Sequence, residues 1–276
     1  MTGGGRELHP TSWRVREVFG AAEVVVLAAT ESELTTVIQA LSGAESVEVW
    51  GRRWWGGPLP GGTSRVEAVV VTTGVGVVNT AQALTSLLEA ARPRLVIQVG
   101  IAGAFTGSGA AVGDLAVASS ETYADLGVAT PEGWLPASVF PGPIVAAATA
   151  SDGVIRLDPG MVEAAARILK SGPWDSPAPQ VIVGPFLTSS QVTGTRELAD
   201  RLEERWAGVV ESMEGAAAAH VCALYDVPFI EVRGVSNLVV DRDRDSWELE
   251  AAAGVAGRAG LLLCALSADI LAAGTR

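Results

Sequence analysis

The sequence predicts an α/β protein: a single-domain three-layer α/β/α sandwich around a mixed, mostly parallel central sheet. Three observations carry this. Short β-branched runs alternate with Ala- and Leu-rich helical runs along the chain. The strand runs are continuously apolar rather than alternating, which marks strands covered on both faces. No internal repeat and no linker-like composition shift divides residues 21–276, so they read as one domain behind a mobile N-terminal tail, residues 1–20.

The elements follow in order. VVVLAA (24–29) reads as a strand and ESELTTVIQAL (31–41) as a helix. WGRRWWGGPLPGG (50–62) reads as a Trp- and Gly-rich hairpin or loop. VEAVVVT (66–72) is a strand that ends at TGVG, VVNTAQALTSLLEAA (77–91) a helix, and RPRLVIQVG (92–100) a buried strand entered at Pro93. Residues 121–160 are rich in Pro, Gly and Thr and read as a long functional loop or lid. MVEAAARILK (161–170) is a helix, VIVGPF (181–186) a strand, and TRELADRLEERW (195–206) a charged surface helix. MEGAAAAHVCALYD (213–226) is a buried small-residue helix, and VPFIEVRGVSN (227–237) the next strand. Residues 246–273 close the chain as a helix, with Asp245 and Glu248 as a possible capping pair.

Composition excludes several classes. The formal net charge is −12, which disfavours nucleic acid and anionic membranes as partners, since both need clustered Lys and Arg. Cys222 and Cys264 fall in apolar helical runs and read as buried free thiols of a reducing compartment. His9 and His220 have no zinc-site spacing to them, so no metal is expected. The apolar run near the C-terminus is short and interrupted by Asp269, so it does not read as a membrane span. A soluble cytoplasmic protein is the expectation. TGVGVVNT (73–80) has Asn79 where a dinucleotide fingerprint has its third glycine, and the next strand ends in Gly100 without an acid. No G-x-S-x-G, Walker A or H-E-x-x-H motif occurs.

Four stretches carry candidate chemistry. TESEL (30–34) sets Glu31 and Glu33 at the end of the first strand, where open α/β sheets bind ligands. Glu31 reads as a helix-start acid; Glu33 reads as a site residue. VGIAGAF (99–105) has Ala102 and Gly103, whose small side chains let backbone approach a flat ligand. Glu214 begins a helix whose dipole favours a carboxylate. EVRGVSN (231–237) ends an apolar strand in Arg233, Ser236 and Asn237. Either Glu231 and Arg233 form a buried structural pair or the strand end looks into a site.

Taken in order, TGVGVVNTAQALTSLLE, VGIAGAF and SMEGAAAAHVCALYDVPFIEVRGVSN resemble the nucleoside phosphorylase/nucleosidase superfamily over residues 23–110 and 181–270. The resemblance implies the nucleoside phosphorylase-like form of the predicted sandwich and a set of roles. Glu33 matches the glutamate that holds the attacking water in hydrolytic members. Glu214 matches the carboxylate that grips the ribose hydroxyls, and Met213 the apolar residue beneath the sugar. Ala102 and Gly103 fall in the base-and-ribose loop. Phe186, in VGPFL with Leu187, matches the aromatic that stacks on the purine. Arg233 matches the arginine near the water, and Asn237 stands where adenine-specific members have an aspartate.

Two departures sharpen the implication. Gln98 and Ile101 stand where hexameric phosphorolytic relatives have an arginine and a serine. A phosphate dianion needs charge-assisted donors, so water is the nucleophile implied. Asn237 offers one donor and one acceptor, which suits a 6-oxopurine better than adenine. The run RGVSNLVVDRDRDSWEL is further similar to that of the futalosine hydrolase branch, whose substrate is an inosine-like nucleoside with a carboxyphenyl ketone on its 5′ side. Loop 121–160 and the Trp-rich 50–57 segment are then expected to cover the aryl group, with Arg52, Arg53 and Arg196 as candidates for its carboxylate. The resemblance also implies no cofactor, a nucleoside as the small-molecule partner, and a homodimer or higher homo-oligomer. A methylthioadenosine/S-adenosylhomocysteine nucleosidase and a purine nucleoside phosphorylase are the alternatives.

Overall fold

Apolar and amphipathic runs alternate in the folded chain as they do in the sequence. The computed structural model describes residues 10–62, 65–145, 150–151 and 153–274. The order is α1 (Pro10–Phe19), β1 (Val24–Ala28), α2 (Glu31–Ala40), β2 (Glu45–Val49), β3 (Arg52–Pro60), β4 (Arg65–Thr72), α3 (Val77–Ala90), β5 (Leu95–Ala104), β6 (Leu115–Tyr123), β7 (Gly127–Thr130), β8 (Gly133–Pro136), β9 (Ala150–Ser151), β10 (Val154–Arg156), α4 (Pro159–Lys170), β11 (Val181–Thr188), α5 (Arg196–Trp206), β12 (Val210–Ser212), α6 (Gly215–Tyr225), β13 (Phe229–Leu238), α7 (Leu249–Ala265) and α8 (Ser267–Ala273).

The sheet is mixed. All five residues of β1 are buried, and it lies parallel between β4 and β5. β5 runs parallel to β13, and β11 runs parallel to both β6 and β12. Antiparallel pairing occurs at the edges, through β2, β3, β9 and β10, and at two inner seams, β5 with β12 and β13 with β6. Because β13 pairs both β5 and β6, strands β5, β12, β11, β6 and β13 close into a ring. Helices α2, α7, α4 and α8 pack together, and so do α1, α3 and α6, which gives the outer layers.

Several local expectations change. Residues 10–19, read as part of a mobile tail, form α1, with Val15 and Phe19 buried; residues 1–9 lie outside the described residues. Of the two readings of the Trp-rich segment, hairpin or loop, the hairpin holds: it turns at residues 50–51 and continues as β3, antiparallel to β2. Trp54 is wholly buried against Phe19, where its size fills core volume. Loop 121–160 contains the hairpin β7–β8 and part of β6. The C-terminal helix starts at Leu249 and breaks at Leu266 with a bend of 71° between α7 and α8. The Asp245–Glu248 capping pair does not form: Glu248 makes no side-chain cap, and Asp243 instead caps the short turn Arg244–Ser246. Among the described residues no single helix is long and apolar enough to cross a membrane. Cys222 and Cys264 are free and buried, and burial pushes the Cys264 thiol up to about 12.

Candidate active site

Parallel strands end at one edge of a sheet, so β4, β1, β5 and β13 deliver their carboxyl ends to a common region. β1 passes into α2 through Thr30, and β4 into α3 through the glycine turn at residues 73–76. Thr30 is the N-cap of α2, and Glu33 reaches back to it. Glu33 Oε2 accepts from the Thr30 backbone N–H at 2.9 Å and from its hydroxyl at 2.7 Å. A capping box normally serves the helix alone. Here the other oxygen, Oε1, accepts from the backbone N–H of Ile101 on β5 at 3.0 Å. Glu33 is therefore buried and held on both oxygens, while Glu31, two residues earlier, is exposed.

Arg233, on β13, is fully buried among carboxylates. Its Nε donates to Glu231 Oε1 at 2.7 Å, and Nη1 and Nη2 both donate to Glu214 Oε2 at 3.4 Å. Nη1 also donates to the Ile101 carbonyl at 3.3 Å. Burial pulls its pKa down, but Glu231, Glu214 and Glu33 outweigh that and hold it above the ordinary arginine value. The buried-pair reading of EVRGVSN is the one these contacts realise, and Arg233 itself does not line the cavity described below. Arg233 forms the buried pair with Glu231 and extends it to a second carboxylate.

Glu214 sits at the N-cap position of α6 but makes no side-chain cap. Its Oε1 instead accepts from the Gly76 N–H in the glycine turn at 2.9 Å. Burial raises its pKa; the guanidinium of Arg233 and the Gly76 N–H oppose the rise, and Glu33 and Glu231 add to it. Gly100 is what allows the cluster to close. A Cβ there would meet Arg233 Nη1 at 2.6 Å and Glu33 Oε1 at 2.7 Å.

Beside this cluster lies a cavity of about 650 Å³. Glu33, Glu214, Met213, Ala102, Gly103 and Asn237 all line it. At one end, register places Glu211 of β12 and Asn237 of β13 on either side of Gly103. Asn237 Oδ1 accepts from the Ser236 hydroxyl at 2.8 Å, and Nδ2 donates to the Leu238 carbonyl at 3.1 Å. These bonds fix which end of the amide is which, and leave one N–H and one lone pair for a ligand. Thr193 donates to Glu211 through its backbone N–H and hydroxyl, but burial dominates and raises the carboxyl pKa.

Two predicted contacts are corrected. Phe186 and Leu187 do not line the cavity; both are almost fully buried, Phe186 in the main core and Leu187 in a small cluster with Phe105 and Leu202. Strand β11 runs on to Thr188, so the chain reaches the cavity only at Gln191 and Val192. The expected cover also differs. Trp54 and Trp55 are core residues, and the apolar wall comes from Val75, Trp247, Leu249 and Ala253. Of the three arginines, Arg52 donates to the Thr73 and Asn79 carbonyls, Arg196 pairs with Asp200, and Arg53 is exposed. None of the three lines the cavity, and neither does Arg242, whose guanidinium stands 4.9 Å from the centre of the Trp247 ring. Gln98 is buried behind the site with both amide atoms unbonded, while Ile101 lines it. Sequence reasoning missed Glu211, Gln191, Val192 and Trp247. The adjacent acids of the ESME run were a usable signal for Glu211.

A buried carboxylate with fixed donors on both oxygens can orient a water, and a second one can face a developing cation. Among the described residues no group of three or more His, Cys, Asp or Glu side chains is arranged to hold a metal.

The family model of the phosphorylase superfamily matches residues 23–272. The futalosine hydrolase of Acidothermus cellulolyticus is 32% identical over 83% of this chain and 84% of its own. That of Streptomyces coelicolor is 38% identical over 61% of this chain and 64% of its own, just under two thirds of the relative. The fold is that of the S-adenosylhomocysteine nucleosidase of Streptococcus pyogenes, solved in complex with 5-methylthiotubericidin. The TM-score is 0.73 at 24% identity, over 89% of this chain and 97% of that one.

Proposed function

Since the chain belongs to the phosphorylase superfamily, we propose that it is an N-glycosyl hydrolase that cleaves futalosine to hypoxanthine and dehypoxanthine futalosine, a step of menaquinone biosynthesis. The observation that carries this reading is the convergence of Glu33, Glu214 and Asn237 on one cavity. Futalosine hydrolases are among its relatives.

Breaking an N-glycosidic bond builds positive charge on the sugar and negative charge on the base. Glu214 grips the 2′- and 3′-hydroxyls and offsets the sugar charge. Glu33, held by Thr30 and Ile101, removes a proton from the attacking water. Asn237 donates its free N–H to O6 of the departing 6-oxopurine. An amide is not an acid, so the proton the base needs comes from elsewhere. Glu211, whose burial favours the protonated carboxyl, is the acid on the other side of Gly103. Phosphate is disfavoured as nucleophile because the carboxylates of Glu33, Glu214 and Glu250 line the cavity. Trp247, Leu249 and Val75 line the cavity and are the apolar surface for the aryl ketone, and Arg242, stacked on Trp247 outside the lining, is the candidate counter-ion for its carboxylate.

Val75, which lines the cavity, and Val78, on α3, are both exposed, which suits coverage by a second copy in a homodimer. Buried free thiols suit a reducing cytoplasm. The rival is a methylthioadenosine/S-adenosylhomocysteine nucleosidase, because the same apolar end would take a methylthio group. Incubation with futalosine, inosine and methylthioadenosine, each with and without phosphate, separates the readings. Hypoxanthine released from futalosine, independent of phosphate, is expected. Adenine release alone would assign the rival, and phosphate dependence would assign a phosphorylase.

A further inference from the structure

Behind Arg233 lie two carboxyl groups that the proposed reaction does not use. Glu231, on β13, and Glu121, on β6, are both wholly buried. Glu231 Oε2 and Glu121 Oε1 have no N–H or O–H donor among the described residues. The two oxygens crowd one point: a Cβ on Gly215 would lie 2.4 Å from the first and 2.0 Å from the second. Among the described residues, the bond left open to each of these oxygens is one with the other carboxyl. Two carboxylates cannot share such a bond, since both are acceptors and both are charged. A carboxylic acid and a carboxylate can.

We infer that Glu121 and Glu231 share one proton, and that this dyad is a positioning device that holds Arg233, and through it Glu214, in place. The other ends of the pair close a ring. Glu231 Oε1 receives Arg233 Nε. Arg233 holds Glu214 at the start of α6. The Ala216 N–H of the same helix turn donates to Thr188 Oγ1 at 2.8 Å, and that hydroxyl donates to Glu121 Oε2 at 2.8 Å. The ring therefore returns to the dyad through the helix that carries Glu214. Gly215 is required because any side chain would occupy the place where the two carboxyls meet.

The surrounding groups agree on which carboxyl is neutral. Glu33, Glu214, Glu231 and Glu121 face a single guanidinium, so one proton among them relieves an excess of negative charge. Burial first, and Glu231 second, push the Glu121 carboxyl well above the usual range, against smaller opposing effects of Thr188 and Arg233. Tyr123 lies near Glu121, and burial pushes its phenol up, so it too is neutral. Tyr123 in turn meets His220 of α6, which burial keeps toward its neutral form. Gln98 is the β5 register neighbour of Glu231 and brings no charge.

The test compares Glu121→Gln, Glu121→Leu and wild type in thermal unfolding from pH 5 to pH 8 and in kcat. A glutamine reproduces the neutral acid, with its N–H toward Glu231 and its oxygen toward Thr188. The folded wild type keeps a proton that the unfolded chain releases above about pH 4.3, so it loses stability as pH rises. Glu121→Gln has no proton to lose. Its melting temperature should therefore gain on wild type steadily between pH 5 and pH 8. In kcat, Glu121→Leu should fall by about 10²-fold as Arg233 shifts, and Glu121→Gln should restore most of that. A stability difference that is flat with pH would overturn the dyad. So would a glutamine variant as impaired in kcat as the leucine variant. If the leucine variant does not fold, the pH dependence of the glutamine variant decides alone. The kinetic arm rests on the nucleosidase reading, whereas the melting arm needs no substrate. Absence of any nucleoside cleavage would therefore sink that reading and leave the dyad to the melting data.

Discussion

Replacing Gly100 by alanine adds one methyl group at the point where the two halves of the site touch. That methyl carbon would sit 2.6 Å from Arg233 Nη1 and 2.7 Å from Glu33 Oε1, where ordinary contact begins at 3.4 Å. One or both groups must withdraw by roughly 0.8 Å. Neither can do so freely. Arg233 is fixed by Glu231 and Glu214, and Glu33 by Thr30 and the Ile101 N–H. A misplacement of about 1 Å at a reacting group costs on the order of 10²-fold in rate. Overpacking a buried position costs about 1–3 kcal/mol of stability. The expected variant is therefore folded, melts lower, and has kcat reduced about 10²-fold with a smaller change in KM. The assay is steady-state release of free base, with a melting curve on the same sample. Gly194→Ala is the control, since a Cβ there meets nothing within 4 Å. A Gly100→Ala enzyme with kcat within twofold of wild type would refute the claim that Glu33 and Arg233 must stay in register.

Other substitutions probe single roles. Glu33→Gln keeps the shape but removes the base, so kcat should fall about 10²–10⁴-fold while a substrate analogue still binds in a calorimetric titration. Asn237→Asp should shift the ratio of kcat/KM from 6-oxopurine toward 6-aminopurine nucleosides, measured by competition of inosine against methylthioadenosine. Glu211→Gln should slow release of hypoxanthine yet leave p-nitrophenyl riboside cleavage near wild type, because that leaving group needs no proton; equal losses on both would remove Glu211 as the acid. The Glu214 carboxyl must be ionised to act, and its pKa is raised by burial. The acid limb of the kcat profile should therefore lie above the ordinary carboxylate value of about 4.3, with activity falling as pH drops through it.

The residues easiest to find in the sequence were those out of keeping with their surroundings. An arginine and an asparagine ending an apolar strand, and a glutamate opening an alanine helix, mark a site because burial of such groups needs partners. Positions set by where a strand stops were harder. Phe186 is the aromatic of its run, but β11 continues two residues past it and turns it into the core. The small side chain that faces the cavity instead, Val192, carries no signal of its own. Strand β6 escaped notice because LAVASSETY mixes Ser, Thr and Glu into its second half. Those polar residues are buried because Glu121 and Thr188 bond each other across β6 and β11. That pairing is long-range and leaves no local period. The tryptophans of β3 suit an apolar cover for an aryl group, and the same apolar bulk is what the core between α1 and the sheet requires.

The central claim is that a water oriented by Glu33 displaces the purine from its sugar. Turnover of futalosine in heavy-oxygen water, with mass analysis of the sugar product, tests it most directly. The account predicts the heavy oxygen on the anomeric carbon, in the presence or absence of phosphate, and about 10²–10⁴-fold less labelled sugar in a Glu33→Gln reaction run for the same time. A sugar 1-phosphate without the label would contradict it.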